Sequence, residues 1–258
     1  MEPEQATRGT FYSEVAFRRP SLKTSPRYGN EDFRASPALR ARVRVRRVAP
    51  PKRLAGRALQ AVAKRCFDLA VAAFLIIFLA PALLAIAAAI KLTSRGPVLF
   101  RQRRYGLGKK QFEILKFRTM SMNSCDPDGV LQTRPGDTRV TSFGRFLRRT
   151  SLDELPQLFN VLRGDMSLVG PRPHVPGMFA GGVLYEDLVP EYFERLRVRP
   201  GVTGLAQVNG LRGSTEDPSV ARARIRDDLA YIDHWSLALD VRILIMTART
   251  EFLSGSGF

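Results

Sequence analysis

LAVAAFLIIFLAPALLAIAAAI, running from Leu69 to Ile90, carries no charge over its whole length. At ~1.5 Å rise per residue it makes roughly 33 Å of helix, enough to cross the hydrocarbon core of a bilayer. It lies too deep in the chain for a signal peptide and lacks the usual cleavage pattern. The competing reading is a helix buried in a soluble core. Pro81 stands near the middle of the run, where a missing N–H and a clash with the preceding turn predict a kink. The flanks are basic on both sides: Arg57, Lys64 and Arg65 before it, Lys91, Arg95, Arg101, Arg103 and Arg104 after it. Basic flanks mark the cytoplasmic side, so charge favours neither direction of crossing. A helix that enters, bends at Pro81 and returns satisfies both ends; a kinked spanning helix is the alternative.

Upstream, residues 1–63 are rich in Arg, Ser and Pro and have little apolar periodicity, which reads as a basic, disordered arm. Residues 1–65 hold 16 Lys+Arg and 5 Asp+Glu, most of the surplus behind the net charge of +17. "ARVRVRRVAPPKR" (Ala41 to Arg53) reads either as a surface-binding patch or as a solvated linker. The charge implies an anionic partner: nucleic acid, anionic lipid or phosphorylated substrates. Two cysteines, Cys66 and Cys125, show neither metal spacing nor a disulfide framework. With only His174 and His234 besides, the composition argues against a zinc site or a serine-type triad.

Downstream, "PVLFRQRRYG" and "KQFEILKFRTM" read as a hairpin or extended pair around "GLGKK". "GLGKK" itself lacks the spacing of a phosphate-binding P-loop. "CDPDGVLQTRPGD" reads as a loop. "WSLALDVRILIMTA", broken by Asp240 and Arg242, reads as an amphipathic helix. It either rests on the membrane with Trp235 at the headgroups or is buried against the domain.

In "TSLDELPQLFNVLRGDMSLVGPRP" (Thr150 to Pro173), Leu155, Leu158, Phe159 and Leu162 follow the period of an amphipathic helix. Two caps are open to it. Ser151 and Glu154 make an S-x-x-E capping box, or Asp153 is the N-cap with Pro156 in the first turn. Either way Asp153 and Glu154 stand at a helix start, a place that favours phosphate. Neighbouring residues point roughly 100° apart on a helix, so the pair is no shared-proton dyad. The two prolines of "VGPRP" stiffen a turn that presents Arg172, and arginine takes phosphate bidentately. The alternatives are helix punctuation and phosphoryl chemistry. A surface position is the default reading for His174.

Six motifs in order carry a resemblance: "KRCFDL", the Pro-interrupted apolar run, "SRGPVLFRQRRYG", "FEILKFRTM", "TRVTSFGRFLRRTSLDELPQLFNVLRGDMSLVGPRP" and "RPGVTGLAQVNG". From Lys64 to Glu251 the chain resembles the bacterial sugar transferases, the small monotopic polyprenyl-phosphate phosphoglycosyl transferases. The resemblance implies an α+β, mostly helical monotopic membrane protein. It would have a re-entrant helix broken at Pro81 (residues 64–92), interfacial helices and a catalytic domain over 93–258 on the cytoplasmic face of the bacterial inner membrane. In the family the break is a Ser-Pro pair; here it is Ala80-Pro81, without the serine hydroxyl.

The implied reaction moves a sugar-1-phosphate from a UDP-sugar to undecaprenyl phosphate, releases UMP and initiates exopolysaccharide or glycoconjugate synthesis. Asp153 matches the nucleophile that forms a covalent phosphosugar enzyme. Glu154 matches its catalytic neighbour, with a metal or proton role. Mg²⁺ is the implied cofactor, near Asp153. Arg148 and Arg172 match phosphate-binding positions, and Lys116 and Arg118 of "KFRTM" are further candidates. Membrane lipids are implied partners and polysaccharide-assembly proteins possible ones; nucleic acid is not expected. Two alternatives stand beside this: a membrane glycosyltransferase that releases UDP, and a non-enzymatic, membrane-anchored basic binding protein.

Overall fold

The computed structural model describes residues 54–121, 137–213, 215 and 217–254. The arm up to residue 53, the loop over 122–136 and Cys125 lie outside the described residues. The first element, α1 (Leu54–Thr93), is one 40-residue helix. The domain boundary expected after residue 63 therefore falls inside a helix. Pro81 lies within α1, with helical residues on both sides. Among the described residues α1 is the one helix long and apolar enough to cross a membrane. Phe74, Ile77, Phe78 and Leu84 are exposed along it.

The hairpin expected around "GLGKK" is present. β1 (Leu99–Tyr105) pairs antiparallel with β2 (Gln111–Phe117), from Leu99 opposite Phe117 to Tyr105 opposite Gln111. A 3₁₀ turn over Leu107–Lys109 joins them, with Gly108 and Lys109 at positive φ. Side chains alternate across a strand, so one face carries Gln102 and Arg104 of β1 with Phe112, Ile114 and Lys116 of β2.

Next comes α2 (Ser142–Arg149), capped by Thr141, whose hydroxyl accepts from the Gly144 N–H at 2.9 Å. A 3₁₀ turn over Leu152–Glu154 leads into α3 (Gln157–Arg163). β3 (Ser167–Val169) follows. A small antiparallel pair, β4 (Phe179–Ala180) and β5 (Val183–Leu184), leads to a short helix, α4 (Tyr185–Leu188). After a 3₁₀ segment over Tyr192–Arg197, β6 (Gly201–Thr203) lies parallel to β3, with Ser167 opposite Gly201. The chain closes with α5 (Leu205–Val208), α6 (Pro218–Asp233) and α7 (Leu237–Ser254).

Two apolar clusters hold α1 to this body. Phe67, Val71, Ala72, Leu75 and Ile76 pack with Leu158, Val161, Met166, Leu168 and Ile243. Leu83, Ile86, Ala87 and Ile90 pack with Phe117, Leu147, Phe143 and Leu152. Polar bonds reinforce both contacts. Lys64 pairs with Asp240 at 2.7 Å. Buried Asp68 accepts from the Ser167 hydroxyl at 2.7 Å and the Leu168 N–H at 3.3 Å. Just past the other end of α1, Arg118 donates to the Ser94 carbonyl at 2.9 Å and to the Arg95 carbonyl.

α7 is the amphipathic helix expected near the C-terminus. Trp235, the side chain offered to the headgroups, is instead packed against the core, and its N–H donates to Asp240 at 3.1 Å. Asp240, read as a break in the apolar pattern, is fully buried and also accepts from the Tyr231 hydroxyl at 2.8 Å.

Candidate active site

The acid pair sits on the 3₁₀ turn, and neither expected cap forms. Ser151 is left-handed, with φ 54°, and its side chain makes no capping bond. Pro156 is the residue at the N-cap of α3, and no side chain caps it. The reason is steric: Ser151 at positive φ turns the chain early, so three residues of tighter helix intervene before α3. Both carboxylates are thereby released from punctuation.

Their environments then separate them. Glu154 is held between two cations, at 2.6 Å from Lys116 Nζ and at 2.6 and 3.2 Å from the Arg172 guanidinium. Burial would raise its pKa, but Arg172 and Lys116 more than offset that and hold it well below the usual carboxylate range. Asp153 is 8 % exposed, and among the described residues nothing hydrogen-bonds or ion-pairs with its carboxylate. Burial pushes its pKa up to about 6; Lys116 and Arg148 pull against that shift, and Glu154 adds to it.

Three segments deliver the surrounding cations. Lys116 comes from the inward face of β2. Arg148 comes from the last turn of α2, fixed by a 2.9 Å bond from its Nε to the Thr119 hydroxyl. Burial depresses the Arg148 pKa, with the Asp153 charge opposing. Arg172 stands on the Pro-Arg-Pro turn after β3. That turn lacks two N–H groups because of its prolines, and the protein holds it by its carbonyls. Pro171 O accepts from the Gly201 N–H at 3.0 Å, Arg172 O from Arg195, Pro173 O from Arg104 at 3.2 Å and His174 O from the Tyr105 N–H at 3.0 Å. Four consecutive carbonyls are thus tied to three other elements. The close approach of β6 depends on Gly201, where a Cβ would stand 2.1 Å from the Gly170 nitrogen.

Arg195 is itself anchored by a fully buried pair with Asp228 at 2.6 Å. His174, expected at the surface, is buried behind the turn. It lies 3.1 Å from the Tyr192 hydroxyl and packs on the Tyr185 ring. Burial and the surrounding arginines keep its pKa well below the ordinary value, so it is neutral.

Of the six residues singled out from sequence, the structure brings together Asp153, Glu154, Arg148, Arg172 and Lys116. Arg118 is elsewhere: it is buried, and its terminal nitrogens are engaged by the backbone after α1. That gives it a part in fastening the end of α1 to the hairpin. Sequence reasoning missed Arg195, Asp228, Gln157 and the inward role of Arg104. Only the alternation along β1, which puts Arg104 on the face of Lys116, carried a signal for any of them.

No group of three or more His, Cys, Asp or Glu side chains suited to a metal occurs among the described residues. Mg²⁺, though, is commonly bound by one or two carboxylates plus substrate phosphates and water. The unpaired Asp153 carboxylate fits that donor set, whereas Glu154 is already occupied by its two cations.

A buried carboxylate without a hydrogen-bond or ion-pair partner among the described residues, set among Lys116, Arg148 and Arg172 on a body fastened to a long apolar helix, is an arrangement suited to phosphoryl chemistry at a membrane. Comparison with known proteins is in accord. The family model described as bacterial sugar transferase matches residues 59–254, and the chain belongs to that family. It is 53 % identical over 197 residues (76 % of this chain, 98 % of the relative) to the exopolysaccharide production protein PSS of Rhizobium leguminosarum bv. phaseoli. It is 55 % identical over 184 residues (71 % and 67 %) to the UDP-glucose:undecaprenyl-phosphate glucose-1-phosphate transferase of Caulobacter vibrioides. It is 50 % identical over 195 residues to the undecaprenyl-phosphate glucose phosphotransferase of Komagataeibacter xylinus, of whose length the match spans 37 %.

Proposed function

We propose that this protein transfers a sugar-1-phosphate, glucose-1-phosphate first among the candidates, from a UDP-sugar to undecaprenyl phosphate and releases UMP. The observation that carries this reading is the contrast within the acid pair: Glu154 is locked by Lys116 and Arg172, while Asp153 is buried and unpaired. A carboxylate stripped of partners and solvent is a nucleophile. The names of the relatives supply the donor and acceptor.

In the first half-reaction an Asp153 oxygen attacks the sugar-bearing phosphorus. The bond from that phosphorus to the bridging oxygen breaks, and UMP leaves with the electron pair. In the second, an oxygen of the lipid phosphate attacks the same phosphorus and Asp153 leaves. Arg148 and Arg172 hold the charge that spreads over the equatorial oxygens. Glu154 positions Lys116 and Arg172 and, being ionised throughout the neutral range, carries no proton. Asp153 is the residue that would offer Mg²⁺ a carboxylate oxygen, and the ion would supply neutralisation of the diphosphate.

Re-entry of α1 is supported by its two attachments to one body, through Lys64, Asp68 and Ala72 on one side and Ile86 and Ile90 on the other. With basic residues on both flanks, the membrane-facing part is the exposed middle around Phe74 to Leu84, and the catalytic body lies on the cytoplasmic face. Cysteine labelling from each side of the membrane checks this; flanks labelled from opposite sides would discard re-entry.

The reaction is tested by nucleotide release in nanodiscs containing undecaprenyl phosphate, with Mg²⁺ and UDP-glucose, UDP-galactose or UDP-N-acetylhexosamines. UMP release from UDP-glucose, lost by about a thousandfold or more in Asp153→Asn, is the expected outcome. Release of UDP instead would replace the reading by a glycosyltransferase.

A further inference from the structure

Beside the acid pair lies a small pocket lined by Arg104, Ile114, Lys116, Gln157, Arg172 and Pro173. Neither Asp153 nor Glu154 lines it, but Glu154 bonds two of the side chains that do, Lys116 and Arg172. Residues in a 3₁₀ turn diverge by about 120°: Glu154 bonds Lys116 and Arg172, while Asp153 feels the same two cations only through their charge. Two donors in this wall have nothing to bond. Gln157 is 1 % exposed and its Nε2 has no partner; the buried Nε of Arg104 has none either. Buried donors without acceptors are rare in folded proteins and cost free energy when left so.

The charge balance points the same way. Arg104, Lys116 and Arg172 bring three positive charges to the wall, and Glu154, bonded to two of them, brings one negative charge. Among the described residues Arg104 has no carboxylate partner: its other nitrogens donate to the Pro173 carbonyl and the Gln102 side chain. Its pKa is lowered to about 10, by burial first and then by Arg172. Counted over the described residues, the wall and the Glu154 carboxylate bonded to it therefore carry a surplus of two positive charges, beside two idle N–H donors. A phosphate monoester, with nearly two negative charges and three acceptor oxygens at neutral pH, matches both.

We propose that Arg104 and Gln157, with Lys116 and Arg172, form a second phosphate subsite for the monoester phosphate that is not attacked. It receives the phosphate of the departing nucleoside monophosphate and then the lipid phosphate that takes its place. This rests on the two-step reading above. The attacking and leaving oxygens in phosphoryl transfer stand roughly in line. Asp153 enters opposite the departing nucleotide and later departs opposite the incoming lipid phosphate. One side of the phosphorus therefore serves both monoesters, and one subsite suffices. The exchange needs no proton: each step forms one P–O bond and breaks another, with the electron pair leaving on the departing oxygen.

The experiment has two arms. First, UMP and inorganic phosphate are titrated calorimetrically into full-length Asp153→Asn enzyme in nanodiscs, alone and combined with Arg104→Gln or with the near-isosteric Gln157→Glu. UMP should bind, and each added substitution should weaken it by about tenfold or more, as loss of a charge-assisted hydrogen bond does. Second, in otherwise wild-type enzyme, the inhibition constant for UMP and the KM for undecaprenyl phosphate should rise together in both variants, with a smaller rise in KM for the UDP-sugar. Unchanged UMP binding in both variants overturns the subsite. A rise in only the nucleotide constant, or only the lipid constant, overturns its sharing. Because the first arm needs no turnover, it stands or falls apart from the overall reaction. If UMP binds through Arg104 and Gln157 but no donor yields UMP, the proposed function has failed and the pocket has not.

Discussion

Asp153 and Glu154 are adjacent in the chain and opposite in behaviour. Glu154 gains two cations, so its ionisation stabilises the folded state above the ordinary carboxylate pKa, and that support is lost as the pH falls through its depressed value. Asp153 works the other way. Its pKa is raised from 3.8 to about 6, first by burial, so the folded protein binds a proton more tightly than the unfolded chain does. Its charge is then a cost above about pH 6 that disappears below about pH 4. Two outcomes are expected. The rate of UMP formation should fall with single-proton dependence as the pH drops through about 6, because the nucleophile must be ionised. Asp153→Asn should abolish turnover yet raise the thermal unfolding midpoint at pH 7.5 by several degrees, with the gain vanishing near pH 4. Scanning calorimetry at both pH values decides it; equal gains at both would mean the charge is not the cause.

The Pro-Arg-Pro turn depends on elements distant in sequence: β6 through Gly201, β1 through Tyr105 and Arg104, and the 3₁₀ segment through Arg195. Its rigidity therefore depends on the buried Arg195–Asp228 pair behind it. Removing one member leaves a buried charge uncompensated, at a cost of about 3–5 kcal/mol. Asp228→Asn should lower stability by that order and raise KM for the UDP-sugar, since the Arg172 carbonyl loses a well-anchored donor. Denaturant unfolding in detergent together with steady-state kinetics checks it. A stability loss with unchanged KM would separate the pair from the turn.

Across the molecule, the long apolar helix α1 and the site share fastenings. Asp68 of α1 bonds Ser167 and Leu168, five and four residues before Arg172, and Arg118, fastened to the backbone after α1, is followed by Thr119, the anchor of Arg148. Loosening α1 should thus disturb chemistry at a distance. Asp68→Ala, which leaves Lys64, Ser167 and the Leu168 N–H short of an acceptor, should reduce kcat while the protein still sediments with the membrane. Fractionation and UMP release on the same preparation measure both. Full activity in this variant would show that α1 is only an anchor.

Much of this was legible in the residues. The uncharged run from Leu69 to Ile90 declared, by its length and composition, a helix able to cross a membrane. Alternation on either side of a glycine turn declared the β1–β2 hairpin. Six ordered motifs declared the family and brought Asp153, Glu154, Arg148, Lys116 and Arg172 to notice, because these are local patterns of polarity and spacing. What the pattern did not contain was each side chain's partner. Glu154 meets Lys116 from 38 residues away and Arg172 from 18, and Asp68 meets Ser167 from 99. The capping motif S-x-x-E was present in the letters and unused in the fold, since Ser151 is left-handed. Arg118 looked like a phosphate ligand and holds a helix end; His174 looked like a surface residue and is buried. The sequence by itself determined which elements form and where the chemistry concentrates. The tertiary structure decided which acid is locked and which is free, and which donors in the Arg104–Gln157 pocket wait for an acceptor. Charge state and hydrogen-bond satisfaction are set by burial and neighbours, and those exist only once distant segments have packed.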